Sequence, residues 1–401
     1  MKLFFLSTAL TDDIYQHICS NCRKFKPTFS GVGFDRNTAV GLSEHISVEP
    51  ISYYPVPSYP KYGKIVVPSA NFHLGSLAGY VPGMINMPVI KELCYCIDTV
   101  RRIHKNREPE NVIVISGLYR CLLRPARILK RRYGIKIYAI VPDIPELMRT
   151  YRNDYSCIRM LLNKLDVAHS KQFRSCVDGF IVLSEYMVPI VAPDGRPWIQ
   201  IDGMCDLRKI LESTPQNENT KETFLLYAGK ISAKFGVDRL IKGFQTANIP
   251  GCKLYLCGDG DLNHEVSRIS AQDNRIRFLG LVPHDKVLEL ESRASLLVEP
   301  RPSNDPLTKF SFPSKILEYM ASGTPVLTTN LPCLSEEYRM YQYRIEDESV
   351  EGISRAILAT MGISREEREA LGSAARSFIS EHRTIQVQAA RIAAFIKGDN
   401  S

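Results

Sequence analysis

The 401-residue sequence contains no apolar run long enough to cross a bilayer, which takes about 20 consecutive apolar residues. It also lacks the marks of a nucleic-acid reader: there is no zinc finger and no paired-aromatic RNP pattern, so nucleic acid is not an expected partner. Repeats and low-complexity tracts are missing apart from a Tyr/Pro-rich stretch, Tyr53 to Gly63, that reads as a structured loop. Metal-ligand spacing is absent as well. Cys19-Ser-Asn-Cys22 has the gap of a redox pair or half a zinc site, but its candidate partner, Cys94-Tyr-Cys96, does not, so no metal site is expected. The 11 cysteines are scattered, and Cys121, Cys252 and Cys257 lie in apolar runs where a thiol acts as a small core residue. That usage points to a reducing, cytoplasmic setting. Met1 to Leu10 has one lysine and a short apolar run but no small-residue cleavage site, and Asp12 and Asp13 follow; it reads as a buried first strand, not a signal peptide.

What is present is an ordinary globular composition, 44% hydrophobic and 23% charged. The length is too great for one core, and two domains of roughly 200 residues with a cleft between them are expected. Lysine and arginine number 51 against 43 acidic residues, a formal charge of +8 that favours an anionic partner such as a nucleotide diphosphate or an anionic lipid.

Short β-branched runs alternate with helical-period segments, the pattern of parallel α/β architecture. In the first half the clearest strands are 112–116, 135–141 and 179–183, with a basic helix over Pro125 to Tyr133 stopped by Gly134. The polar segment 213–222 (STPQNENTKE) is read as a linker, dividing an N-terminal domain at 1–212 from a second at 223–375. The strands expected after it are 224–228, 253–257, 275–279, 294–299 and 325–328. Residues 365–397 read as two helices, with 376–401 returning to the N-terminal domain.

The most informative stretch is Glu299 to Tyr338, EPRPSNDPLTKFSFPSKILEYMASGTPVLTTNLPCLSEEY. Ser311 or Phe312 is expected to cap a helix with Pro313 in its first turn, and Gly323 to end it. A strand, a loop and a helix N-terminus in sequence make an anion site, because free backbone amides and the helix dipole both favour negative charge. A diphosphate fits such a site, and Glu318, more than a turn into the helix, can accept hydrogen bonds from the two hydroxyls of a ribose.

This segment resembles the C-terminal domain of GT-B fold glycosyltransferases of the family 4 type, and its FPSK-LEYMASG-PV pattern resembles a bacterial cell-surface polysaccharide subgroup. The resemblance implies two Rossmann-like domains with parallel sheets facing a central cleft, and C-terminal helices packing back toward the N-terminal domain. In that family two glutamates separated by seven residues mark the donor site; Glu318 matches the second, which binds the ribose, whereas Phe310 stands at the first. By the same resemblance, Gly229, Lys230 and Lys234 belong to a loop that holds the diphosphate, and Gly258 and Asp259 to a GxG turn. Arg277-Phe-Leu-Gly280 matches the strand whose following backbone meets the base. Arg301, Lys309 and Ser314 are further candidate donor contacts. Lys315 is read as a solvated lysine.

The first half is less explicit. Asp143, at the C-terminal end of a strand where open α/β sheets bind ligands, is the candidate for acceptor contact and catalysis. Asp178-Gly-Phe-Ile-Val-Leu183-Ser184 and Ile201-Asp202-Gly203-Met-Cys-Asp206 also resemble family landmarks. The reaction implied is metal-independent transfer with retention, with a nucleotide sugar (UDP-sugar favoured) as co-substrate, no cofactor, and a glycan or lipid-linked acceptor. Lys230 and Lys234 would stabilise the leaving diphosphate. The basic segment Arg124 to Lys136 is a candidate contact with anionic membrane at the cytoplasmic face. A sugar-nucleotide epimerase and a catalytically silent GT-B subunit are the rival readings.

Overall fold

A computed structural model of the chain describes residues 1–22, 29–150, 168, 171–213 and 222–399, with the backbone alone at 29–30 and 148–150. It divides into two compact units, Met1–Met204 with Ile385–Ser401, and Cys205–Thr384. The division falls ahead of the 213–222 segment, of which 214–221 lie outside the described residues.

The first unit is built on a sheet of eight strands: β1 (Lys2–Ser7), β2 (Ser47–Ser52), β4 (Ala70–Leu74), β5 (Leu77–Val81), β7 (Asn111–Ser116), β8 (Lys136–Val141), β9 (Gly179–Val182) and β10 (Trp198–Gln200), in the order β10-β9-β8-β7-β1-β2-β5-β4. Its ladders are parallel except for the edge hairpin β4–β5. Both faces of the central strands are covered, so β1 and β7 read as continuous apolar runs; every residue of β7 is buried. A small antiparallel pair, β3 (Val66–Val67) and β6 (Met84–Ile85), stands apart from it. The final helix, Ile385–Lys397, belongs to this unit: Ile392, Ala393 and Ile396 join its core, and the Tyr138 hydroxyl donates to the Ile396 carbonyl at 3.2 Å. The chain thus changes unit at Ile385, while the whole of the Arg365–His382 helix stays with the second unit.

The second unit carries six parallel strands, β11 (Thr223–Ala228), β12 (Cys252–Cys257), β13 (Ile276–Gly280), β14 (Leu296–Glu299), β15 (Val326–Thr329) and β16 (Tyr343–Ile345). Their order, β13-β12-β11-β14-β15-β16, runs outward from β11 in one direction and from β14 in the other. Strand order therefore reverses between β11 and β14, the crevice where doubly wound sheets take ligands beyond their carboxyl ends.

The expected strands form within a residue or two of their read limits. The basic helix differs: it spans Arg120–Tyr133, and Pro125 lies inside it instead of opening it. Buried Leu122, Leu123, Ala126 and Leu129 anchor the extra turn against the sheet, which outweighs the lost amide of the proline. Gly134 ends the helix in the left-handed region, as expected.

Candidate functional site

In the second unit three loops meet at the carboxyl end of the sheet. The first follows β11: Gly229, Lys230, a 3-10 turn at Ala233–Phe235 and Gly236, which opens the Val237–Ala247 helix. The second follows β12 with Gly258. The two interlock, since Gly229 N–H donates to the Cys257 carbonyl at 2.9 Å and Ile231 N–H to the Asp259 carbonyl at 3.1 Å. Gly258 sits at φ +139°, and a Cβ there would lie 1.7 Å from the Gly229 carbonyl oxygen. The glycine is required because two backbones touch. Asp259 is engaged with the Asn263 side-chain amide, beside which Gly260 N–H donates to Asn263 Oδ1 at 2.9 Å.

The third loop follows β14. Its Pro300 carbonyl packs on Gly236, where a Cβ would stand 2.1 Å away. The Arg301 guanidinium lies 5.6 Å from the Phe235 ring centroid, and Lys234 Nζ lies 4.0 Å from Asp305. Lys234 is half exposed at that edge. Lys309 Nζ lies 5.0 Å from the Phe310 ring centroid. The loop then closes through a 3-10 turn at Thr308–Phe310 into the Ser314–Ser322 helix.

That helix begins one step later than the sequence suggests. Its N-cap is Pro313, with no side-chain cap bond; neither Ser311 nor Phe312 holds the position. Phe312 is instead buried, 5.4 Å from the Tyr338 ring, so its side chain anchors the helix start. Gly323 ends the helix at φ +78°. Tyr319, fully buried, ties the helix to β11: its hydroxyl accepts from Ala228 N–H at 2.8 Å and donates to the Ala228 carbonyl. Tyr227 in turn donates to the Lys230 carbonyl at 2.9 Å. Glu318 is thereby carried on a helix pinned to the strand that bears Gly229 and Lys230.

Lys315 is not a solvated lysine. Its ammonium lies 2.8 Å from Glu318 and 3.7 Å from the fully buried Glu291. Burial works against its charge, but Glu318 and Glu291 outweigh that and hold its pKa above the usual lysine value. Burial pushes Glu291 up, opposed by Lys315 and reinforced by Glu318. His284 is held below its usual value, first by burial, with Glu318 pulling the other way.

Sequence reasoning missed several of these groups. Glu299 is buried at the end of β14, and burial pushes its carboxyl up to about 7 against the pull of Arg301. Glu291 and Tyr319 lie inside helices where only packing reveals their partners.

In the first unit Asp143 stands just beyond β8, and burial raises its pKa. A group with no sequence signal lies at the point where strand order reverses there, between β1 and β7. Asp35 accepts from the Thr8 amide and hydroxyl, each at 2.7 Å, and from the Ser116 hydroxyl, so one buried carboxylate joins the ends of both strands. Burial pushes it up to about 6, partly offset by the Ser116 and Thr8 hydrogen bonds. Asp178 and Asp202 have local partners: Asp178 meets Lys130 and the Ile137 amide, and Asp202 accepts from Gln200. Among the described residues no group of three or more His, Cys, Asp or Glu side chains is placed to hold a metal ion.

Two doubly wound α/β units, the second with interlocked glycine loops at its switch point, define the GT-B fold. Residues 209–378 match the family described as Glycosyl transferases group 1. No curated protein sequence matches the chain. Among solved structures it is similar to sucrose-phosphate synthase from Thermosynechococcus elongatus, at a TM-score of 0.69 and 13% identity over 99% of this chain and 98% of that one. It is also similar to Anabaena HepE in complex with UDP, at 0.66 and 13% over 99% and 100%. A third is WaaG, a glycosyltransferase involved in lipopolysaccharide biosynthesis, at 0.59 and 14% over 99% and 100%. At these identities the likeness is one of fold.

Proposed function

We propose that the chain is a retaining, metal-independent glycosyltransferase that moves a hexose-type sugar from a nucleotide diphosphate sugar, UDP-sugar favoured, to a glycan or lipid-linked acceptor in cell-surface polysaccharide synthesis. The observation that carries the reading is the meeting of three loops at the reversal of strand order in the second unit. There the Gly229 and Gly258 backbones, Lys230, Lys234, Arg301 and the start of the Ser314–Ser322 helix share one sheet edge. Positive groups and a helix N-terminus at such an edge suit a pyrophosphate. Similarity to HepE, solved with UDP and with UDP-glucose, supports uracil as the base.

In this reading Lys230 and Lys234 neutralise charge building on the departing diphosphate, with Gly229, Gly258, Asp259, Ser311, Phe312 and Ser314 shaping the donor pocket. Arg301 and Lys309 reach the phosphates or the sugar. Glu318 accepts from the ribose hydroxyls, and Lys315, anchored by buried Glu291, fixes its rotamer. Asp143 is assigned to the acceptor. The leaving phosphate takes the acceptor hydroxyl proton, so the C1–O bond to the diphosphate breaks as the new glycosidic bond forms on the same face.

Calorimetry with UDP and a panel of nucleotide sugars tests the site. Glu318→Ala is expected to weaken nucleotide binding, and Lys234→Ala to lower turnover about a hundredfold with the fold intact. Undiminished binding and turnover in both variants would overturn the assignment.

A further inference from the structure

The first unit carries an apolar surface that no strand or helix covers among the described residues. Its centre is the β3–β6 pair, in which Val66 lies opposite Ile85. Val66 is 67% exposed, and Ile65, Ile85, Met87, Val89 and Ile90 are exposed beside it. The backbone binds these residues into one platform: Asn86 N–H donates to the Ile65 carbonyl at 2.6 Å, and Tyr59 N–H to the Asn86 carbonyl at 3.0 Å. The surface continues onto the Ile90–Asn106 helix, where exposed Ile97 lies seven residues after Ile90 and hence on the same face. Val89 holds φ +67°, a conformation that a β-branched residue rarely adopts, and its side chain points out at 58% exposure. Core packing cannot account for that choice, because the residue is not in the core.

The rim is basic. Lys61 and Lys64 are exposed beside the platform, with the Lys64 carbonyl accepting from Asn86 Nδ2 at 3.2 Å, and exposed Arg101 follows Ile97 one turn on. Two acids of the Ile90–Asn106 helix are engaged: Asp98 accepts from the Tyr80 hydroxyl and Glu92 pairs with Arg120. Lys64 Nζ also lies 3.1 Å from His17 Nε2 at the edge of the surface. Protruding aliphatic side chains beside exposed cations suit the interface of an anionic bilayer, which takes the apolar groups below the headgroups and the cations at their level.

The basic helix Arg120–Tyr133 is a weaker candidate for the same role. Its apolar face is turned into the core, Lys130 is committed to Asp178 and the Cys176 carbonyl, and Arg127 lies 4.7 Å from the Phe173 ring.

We infer that the platform of Ile65, Val66, Ile85, Met87, Val89 and Ile97, with Lys61 and Lys64 at its rim, is a docking face for an anionic membrane surface. The inference stands on the surface alone and survives failure of the donor-site assignment, because its readout is binding to lipid. The full chain is pelleted with vesicles of phosphatidylcholine alone and of phosphatidylcholine with phosphatidylglycerol. Binding is expected only with the anionic lipid. Val66→Asp with Val89→Asp is expected to weaken it at least about tenfold, and Lys61→Glu with Lys64→Glu to do the same. Arg131→Glu with Arg132→Glu on the basic helix is expected to change it much less. Circular dichroism melts check that each variant is folded. Undiminished pelleting of folded Val66→Asp/Val89→Asp protein would overturn the inference. So would loss of binding confined to the Arg131/Arg132 variant, or a dimer in solution that the platform variants break without altering lipid binding.

Discussion

Tyr319 shows how one side chain holds a site together without touching a ligand. Its hydroxyl is fully buried and closes hydrogen bonds to both the amide and the carbonyl of Ala228, the last residue before the Gly229 loop. Removing it leaves a buried backbone group without that partner, at a cost of about 1–3 kcal/mol. Tyr319→Phe is therefore expected to lower the unfolding free energy from urea titration by that amount and to weaken nucleotide binding, both measurable on one preparation. Lys315 makes a second point at this scale. It sits between one carboxylate that is fully buried and one that is partly exposed. Lys315→Met would remove the cation that offsets the burial of Glu291 and pairs with Glu318, and the expected result is a destabilisation on chemical unfolding that grows as pH rises above neutrality, where Glu291 ionises. A loss below about 1 kcal/mol would show that Glu291 is neutral in the folded protein.

Among the elements, the glycine loops and the helix they meet were the most legible in the sequence. Gly323 is marked by its place at the end of a helical segment, and Gly229 and Gly258 by the family resemblance, since turns of this kind select glycine. Why each is needed is visible only in three dimensions: at Gly258 it is the Gly229 carbonyl, 1.7 Å from the missing Cβ. Gly258→Ala combines that clash with an unfavourable φ, and destabilisation of at least about 2 kcal/mol is expected in urea unfolding, with nucleotide affinity falling in parallel. The start of the Ser314–Ser322 helix was less legible. Ser311 carries the right chemistry for a cap, yet burial of Phe312 against Tyr338 sets the entry angle and shifts the cap to Pro313.

Across the whole molecule, buried carboxylates give stability a definite pH dependence. Asp35 titrates at about 6 in the folded chain against 3.8 for the free group, and Glu299 at about 7 against 4.5. In each case the folded state binds the proton more tightly, so stability is highest below the unfolded values and falls as pH rises through the folded ones. A shift of about two units is worth about 3 kcal/mol per group. Thermal melts are expected to show a declining midpoint between about pH 4 and 7. Asp35→Asn is expected to remove its share of that decline, so the midpoint difference between parent and variant changes between about pH 4 and 6; a difference that stays constant there would contradict the Asp35 assignment.

The sequence alone determined the α/β class, the main strands of both halves and the two helices of the tail, because these follow from local periodicity and from backbone conformations that few residues tolerate; the short strands between Ser47 and Ile85 and at Trp198–Gln200 and Tyr343–Ile345 carry too little pattern to be read. Tertiary structure decided the rest. It placed the Ile385–Lys397 helix in the first unit, set Lys315 between two carboxylates and joined the ends of β1 and β7 through Asp35. Each of these depends on residues far apart in the chain meeting where water is excluded, and burial, not residue type, fixes what a charged or polar group does there.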